Sequence, residues 1–254
     1  ALRGITTGTE NVAIGKDAMY DNTGGASNTA IGTEALANNT SGGENVAIGK
    51  IALYTNTTTG ANTAVGYTAL RFNVTSGNTA VGHATLYNNS SGGENVAMGV
   101  SAAYANTTGM HNTAIGYGAL ISNVDGDANT AIGRKALFTF EAASDGVGEN
   151  TAVGSLAAFS LSTGIGNTSI GKNSMTNATT AGYNVAVGLQ SIGLGTATAA
   201  SGYNTAVGAQ SLYDLTSGTS NVALGAEAGV NITTGYQNTI VGRQALATAT
   251  DSAN

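Results

Sequence analysis

The chain of 254 residues contains no cysteine, no proline and no tryptophan. Without a thiol it has neither a disulfide framework nor a cysteine metal site. Without proline it is neither collagen-like nor a polyproline rod. Charge is scarce as well: charged residues make up 9% of the chain, with 8 basic side chains against 14 acidic ones and a net charge of −6. That balance argues against nucleic acid as a partner. No run of about 18 apolar residues occurs, so no membrane insertion by a helix is expected in this segment. The hydrophobic fraction of 41% is too high for a chain that stays unfolded. What is abundant is glycine, with 38 residues, alongside Ala, Thr, Asn and Ser.

The abundance has a period. A pentapeptide Asn-[Thr/Val]-Ala-[Ile/Val]-Gly recurs fourteen times with small variations, its asparagines at Asn11, Asn28, Asn45, Asn62, Asn78, Asn95, Asn112, Asn129, Asn150, Asn167, Asn184, Asn204, Asn221 and Asn238. Ten of the thirteen intervals are 17 residues; the others are 16, 21 and 20. Numbered from that Asn, position 5 is always Gly, position 3 is Ala except at Ser169 and Ile240, and position 4 is aliphatic or Met. Position 8 is small, and position 9 is usually large and apolar, as in Met19, Leu36, Leu53 and Leu70. Positions 12 to 16 are rich in Asn, Thr, Ser and Gly.

This pattern predicts an all-β fold, a parallel β-solenoid of about fourteen 17-residue coils forming a single repeat array over residues 1–254, with longer coils at 129–149 and 184–203. Strand side chains alternate, so positions 2 and 4 share one face and position 3 takes the other. The glycine at position 5 ends the strand, a second short strand is expected around position 9, and the polar cluster is a turn. Helix is disfavoured by the recurring Gly and β-branched residues. The recurrent Asn is expected either to stack on its neighbours as an amide ladder or to cap a turn, a structural role in both cases. Two large apolar side chains per coil, at positions 4 and 9, are too few for a coil to stand alone. Columns of small residues at positions 3 and 8, taken to lie opposite position 4, suit packing against another chain; the alternative is a narrow coil interior. A homotrimer is therefore expected. The array begins in phase, with Ala1 and Leu2 at positions 8 and 9, as expected of a segment of a longer fibre.

The motifs NVAIG at 11–15 and 45–49, NTAIG at 28–32, 112–116 and 129–133, and NTAVG at 62–66, 78–82, 150–154 and 204–208 resemble the YadA-like head repeats of trimeric autotransporter adhesins. The array is similar also to the β-roll repeats of phage tail-fibre proteins. The resemblance spans the whole chain. It implies a left-handed β-roll in each subunit, three rolls about an axis, and attachment to a cell-surface glycan or matrix protein, outside the cell or on a virion. Here Asn directly precedes Thr or Val, and the coil is longer than the adhesin type. Both departures favour the fibre branch over collagen binding.

Catalytic chemistry is poorly represented. His83 and His111 lie in different coils without repeated partners, and the acidic residues are scattered. Asp125 and Asp127 form the tightest acidic group, one short turn with too few ligands for calcium. No enzyme, cofactor or metal is expected. The candidate binding surface is an aromatic column at position 10: Tyr20, Tyr54, Tyr87, Tyr104, Phe138, Phe159 and Tyr213. Basic residues gather at position 6 (Lys16, Lys50, Arg134, Lys172, Arg243) and acidic ones at position 17 (Glu10, Glu44, Glu94, Glu149), as corner charges that keep a fibre soluble. The two longer coils mark candidate loops on one face. The sequence thus points to a non-enzymatic structural or adhesive fibre segment. An ice-binding β-solenoid is the alternative, weakened because position 2 is expected to face inward and the turn threonines (Thr57–Thr59, Thr107–Thr108, Thr179–Thr180, Thr233–Thr234) to lie out of register. A polysaccharide-degrading tailspike is a more remote alternative, because it would need two converging carboxylates.

Overall fold

The structure, a computed structural model, describes every residue except 3, 143, 145, 194–201 and 249–254. The insertion at 192–203 lies largely outside the described residues, and so does part of that at 138–149. Among the described residues there is no helix, and hence no helix long and apolar enough to cross a membrane. The fold is a parallel β-solenoid in which each pentapeptide supplies one three-residue strand. The chain divides into two compact units, Ala1–Asp127 and Ala128–Asn254.

The first unit holds β1 (Val12–Ile14), β2 (Thr29–Ile31), β3 (Val46–Ile48), β4 (Thr63–Val65), β5 (Thr79–Val81), β6 (Val96–Met98) and β7 (Thr113–Ile115). The second holds β8 (Thr130–Ile132), β9 (Thr151–Val153), β10 (Thr168–Ile170), β11 (Val185–Val187), β12 (Thr205–Val207), β13 (Val222–Leu224) and β14 (Thr239–Val241). Within each unit every strand pairs in parallel with the next in sequence, residue for residue, as Val12 with Thr29 and Thr168 with Val185. The backbone bonds do not stop at the strands. Val12 N donates to Asn28 O at 2.8 Å, Met19 N to Ala35 O at 3.0 Å, and Thr40 N to Thr57 O at 2.7 Å. Each coil is thus hydrogen-bonded to its neighbours around much of its circumference, which satisfies the backbone groups that a short turn would otherwise leave unpaired.

The interior is narrower than the apolar pattern suggests. Position 3 is fully buried in strand after strand (Ala30, Ala47, Ala64, Ala131, Ala152), and so is position 8 (Ala18, Ala35, Ala52, Ala136). Position 9 adds Met19, Leu36, Leu53, Leu70 and Leu137, each at 0% exposure. Position 4 points out: Ile14 is 58% exposed, Met98 44% and Val241 66%. The expected assignment of faces is therefore reversed. The small residues at positions 3 and 8 fill the coil, and positions 2 and 4 form its outer surface. No second strand forms at position 9 either. Positions 6 to 11 run as turns, with left-handed backbone at position 7 (Asp17, φ 54°; Glu34, φ 57°) and position 9 (Met19, φ 49°; Leu36, φ 51°). A chain that alternates hands in this way cannot form a second ladder strand, but it swings the position-9 side chain inward.

Position 5 shows why only glycine recurs there. Gly32 has φ 136°, and a Cβ on it would lie 2.6 Å from the carbonyl oxygen of Gly49 one coil on. Because the obstacle is backbone in a hydrogen-bonded stack, it cannot move aside. Gly32→Ala is expected to lower the unfolding free energy by about 3 kcal/mol or more. Thr33→Ala, at the half-buried next position, should change it by less than about 1 kcal/mol. Urea titration followed by circular dichroism checks the pair.

Candidate functional site

The fold turns each repeat position into a column, and the chemistry of the protein is a matter of which columns face inward. The recurrent asparagine faces inward. From Asn28 to Asn112 in the first unit and from Asn129 to Asn238 in the second, every position-1 Asn is buried. Each amide bridges coils. Asn28 Nδ2 donates to Asn11 Oδ1 at 3.1 Å and to Gly42 O at 2.8 Å, while Asn28 N donates to Asn11 Oδ1 at 3.0 Å. Asn45 repeats this with Asn28 and Thr59, and Asn221 with Asn204 and Gly235. Buried amides with both ends satisfied hold the coil shut and fix its stacking. They present nothing to a ligand.

A second amide column escaped the sequence pattern, hidden among the turn residues. Position 12 is Asn in all seven coils of the first unit: Asn22, Asn39, Asn56, Asn73, Asn89, Asn106 and Asn123, all at 0% exposure. Asn39 Nδ2 donates to Asn22 Oδ1 at 2.9 Å and also to Gly42 O at 2.9 Å, the carbonyl that accepts from Asn28. One carbonyl thus ties both ladders together inside each coil. In the second unit the described residues at this position are hydrocarbon, with Phe140, Leu161, Leu215 and Ile232 fully buried. Strict recurrence of Asn at two positions eleven residues apart over residues 11–123 was the available signal.

Two surfaces remain for recognition. The first is the strand face formed by positions 2 and 4. Val12, Ile14, Ile31, Ile48, Val96 and Met98 in the first unit are each at least 36% exposed, as are Ile170, Val185, Val207, Leu224 and Val241 in the second. Because the strands pair residue for residue, Thr29, Val46, Thr63 and Thr79 line up at position 2 on this outer face. The expectation that position 2 faces inward is corrected by the burial of position 3 behind it. The turn threonines are in register too. Thr57, Thr107, Thr179 and Thr233 all stand at position 13, where each carbonyl accepts the hydroxyl of the residue one coil before, from Thr40, Ser90, Ser162 and Thr216.

The second surface is the aromatic column at position 10. Tyr20 is 40% exposed and Tyr104 36%, while Tyr54, Tyr87, Phe138, Phe159 and Tyr213 are half-buried. Neighbouring rings stack: Tyr87 on Tyr104 with centroids 5.1 Å apart, and Phe138 on Phe159 at 5.2 Å. Position 6 stacks Tyr67 on His83 at 5.3 Å, and position 17 pairs His111 with Glu94 at 3.4 Å, both exposed. Asp127 Oδ1 accepts from Met110 N at 2.7 Å. Among the described residues no group of three or more His, Asp or Glu side chains converges as a metal site would require.

The ladder can be tested at Asn45. Asn45→Ala strands the Asn62 N–H, whereas the Thr59 carbonyl keeps Asn56 Nδ2 and the Asn28 amide oxygen keeps the backbone N–H of residue 45; the variant is expected to cost about 1–3 kcal/mol for the one group left unpaired. Asn45→Asp places a carboxylate against two oxygens, so the folded state favours its protonated form. That variant should be weakest at neutral pH and regain stability as pH falls toward and through the usual carboxylate range. Thermal melts between neutral pH and pH about 4 check the sign.

No protein-family model, curated protein or solved structure matches this chain, so the repeat columns themselves carry the functional reading.

Proposed function

We propose that the chain is a non-enzymatic fibre segment of a cell surface or virion, assembled as a homotrimer, which presents or provides attachment to a surface glycan or matrix protein. The observation that carries this reading is the outward strand face. In each unit seven strands at a spacing of about 4.8 Å make a stripe roughly 30 Å long and 10 Å wide. Its side chains are chiefly Ile, Val, Met and Thr, with no charged residue at position 2 or 4 in any repeat. A largely apolar stripe of that extent, a few hundred Å², is of the size that often marks an interaction surface on a soluble protein. A straight, self-similar face suits other copies of the same chain, because an identical repeat spacing keeps every coil in register with its partner. The resemblance to trimeric adhesin heads and phage fibres supports three copies. The packing face is the strand face, in place of the small-residue columns. Repeated weak contacts along such a fibre would give avidity without a deep pocket.

The same face favours a second reading. Thr29, Thr63, Thr79 and Thr113 stand outward in one position-2 column that Val46 and Val96 interrupt, the kind of threonine row an ice-binding solenoid uses. The two readings differ in whether the face is covered. Mass photometry of the purified chain is expected to show three copies. The paired substitutions Ile48→Lys and Val65→Lys, adjacent across β3 and β4, should release monomers whose circular dichroism is unchanged. A monodisperse wild-type monomer would overturn the trimer, and thermal hysteresis from that monomer would establish the ice-binding reading.

A further inference from the structure

At one place in the position-10 column a small residue stands between two rings, with an unusual rim. Tyr87 and Tyr104, one coil apart, stack with planes 6° from parallel and centroids 5.1 Å apart. One coil step is therefore about one ring step along this column. In the second coil, position 10 is Ala37, standing between Tyr20 of the first coil and Tyr54 of the third. Ala37 is 6% exposed and lines an open cavity of about 390 Å³. Tyr20 and Tyr54, from the coils on either side, line it together with Asp17, Glu34 and Asn38. The geometry leaves room for one flat group between two rings.

The chain itself shows what the column accepts. In the fourth coil position 10 is Arg71, whose guanidinium carbon lies 5.7 Å from the Tyr87 ring centroid and whose Nη1 donates to Tyr87 Oη at 2.9 Å. In the eighth coil Lys135, at position 7, places its ammonium 4.7 Å from the Phe138 centroid. Position 7 thus reaches the ring column, and a cation is at home on it. Around Ala37 position 7 carries the opposite sign, Asp17 and Glu34. Lys16 meets Asp17 only at 4.0 Å in an exposed pair, which holds that carboxylate weakly.

We propose that the Tyr20–Ala37–Tyr54 slot binds a guanidinium, the arginine side chain of a partner protein, stacked between the two rings with Asp17 and Glu34 as its counter-charges. A guanidinium is flat, stacks on aromatic faces and offers in-plane donors to carboxylates at the rim; a lysine ammonium supplies charge without the plane. The slot lies on turn residues, apart from the strand face, so it operates whether the chain is trimeric or monomeric.

Calorimetric titration of the full chain with the blocked peptide acetyl-Gly-Arg-Gly-amide tests this. Saturable binding is expected, with at least about tenfold loss when citrulline, flat but uncharged, replaces arginine. Ala37→Tyr restores the ring found in the coils on either side and should abolish binding with the melting temperature unchanged. Glu34→Gln should weaken binding several-fold while leaving the rings in place. Equal affinity for the citrulline peptide, unaltered binding by folded Ala37→Tyr, or no saturation by roughly 10 mM peptide would overturn the proposal.

Discussion

The spacing between successive coils governs everything else in this protein. Parallel backbone hydrogen bonds hold neighbouring chains about 4.8 Å apart. The bonds from Val12 N to Asn28 O and from Thr29 N to Asn45 O impose that spacing coil after coil. Any residue type that recurs in the sequence is thereby stacked on its own kind. For asparagine the result is a ladder, since an amide both donates and accepts at the same rise. For tyrosine and phenylalanine it is a ring stack. For a like charge it would be repulsion, and Lys, Arg and Glu are never found at the interior positions 1, 3 or 9.

Much of this was legible in the sequence. The period, the strand at positions 2 to 4, the glycine that ends it and the structural use of the recurrent Asn all follow from spacing and residue type. Which face turns inward did not follow. Alternation says that positions 2 and 4 share a side, but it is silent on which side that is, and placing Ile and Val inside is the ordinary presumption. The answer lies in the backbone of the turns. Left-handed residues at positions 7 and 9 swing Leu36 and Leu53 into the coil, and the remaining width is filled chiefly by alanine and other small residues at positions 3 and 8. Leucine is an uncommon choice for left-handed backbone, so no local rule points to it. The register of Thr57 with Thr107 was hidden for a simpler reason: the 16-residue fourth coil lies between them, and its shortening is absorbed in the turn where Asn73 bonds Thr75 in place of a residue three ahead.

The two units solve the same packing problem with different chemistry. At position 12 the first unit buries a hydrogen-bonded asparagine in every coil, whereas the second buries Phe140, Leu161, Leu215 and Ile232. The asparagine column is interrupted at one step, between Asn56 and Asn73, where Thr59 Oγ1 donates to Asn56 Oδ1 and Asn73 Nδ2 turns to Thr75 O, so every amide end there still finds a partner. A hydrocarbon column depends on volume alone and accepts side chains as different as Phe and Ile. The longest coil and the 20-residue coil both fall in the second unit, whose described position-12 residues form no amide chain.

Left-handed backbone at positions 7, 9 and 17 recurs through both units at ordinary residues such as Asp17, Met19 and Ser27. Each such residue raises the energy by about 1–2 kcal/mol relative to right-handed backbone. A solitary coil bears that strain with no compensation, whereas a coil laid on an existing one gains ladder bonds, amide bridges and buried leucine together. Winding therefore resembles crystal growth: a costly first layer, then favourable addition on a ready template, with the array lengthening by accretion from wherever the earliest pair of coils happens to form.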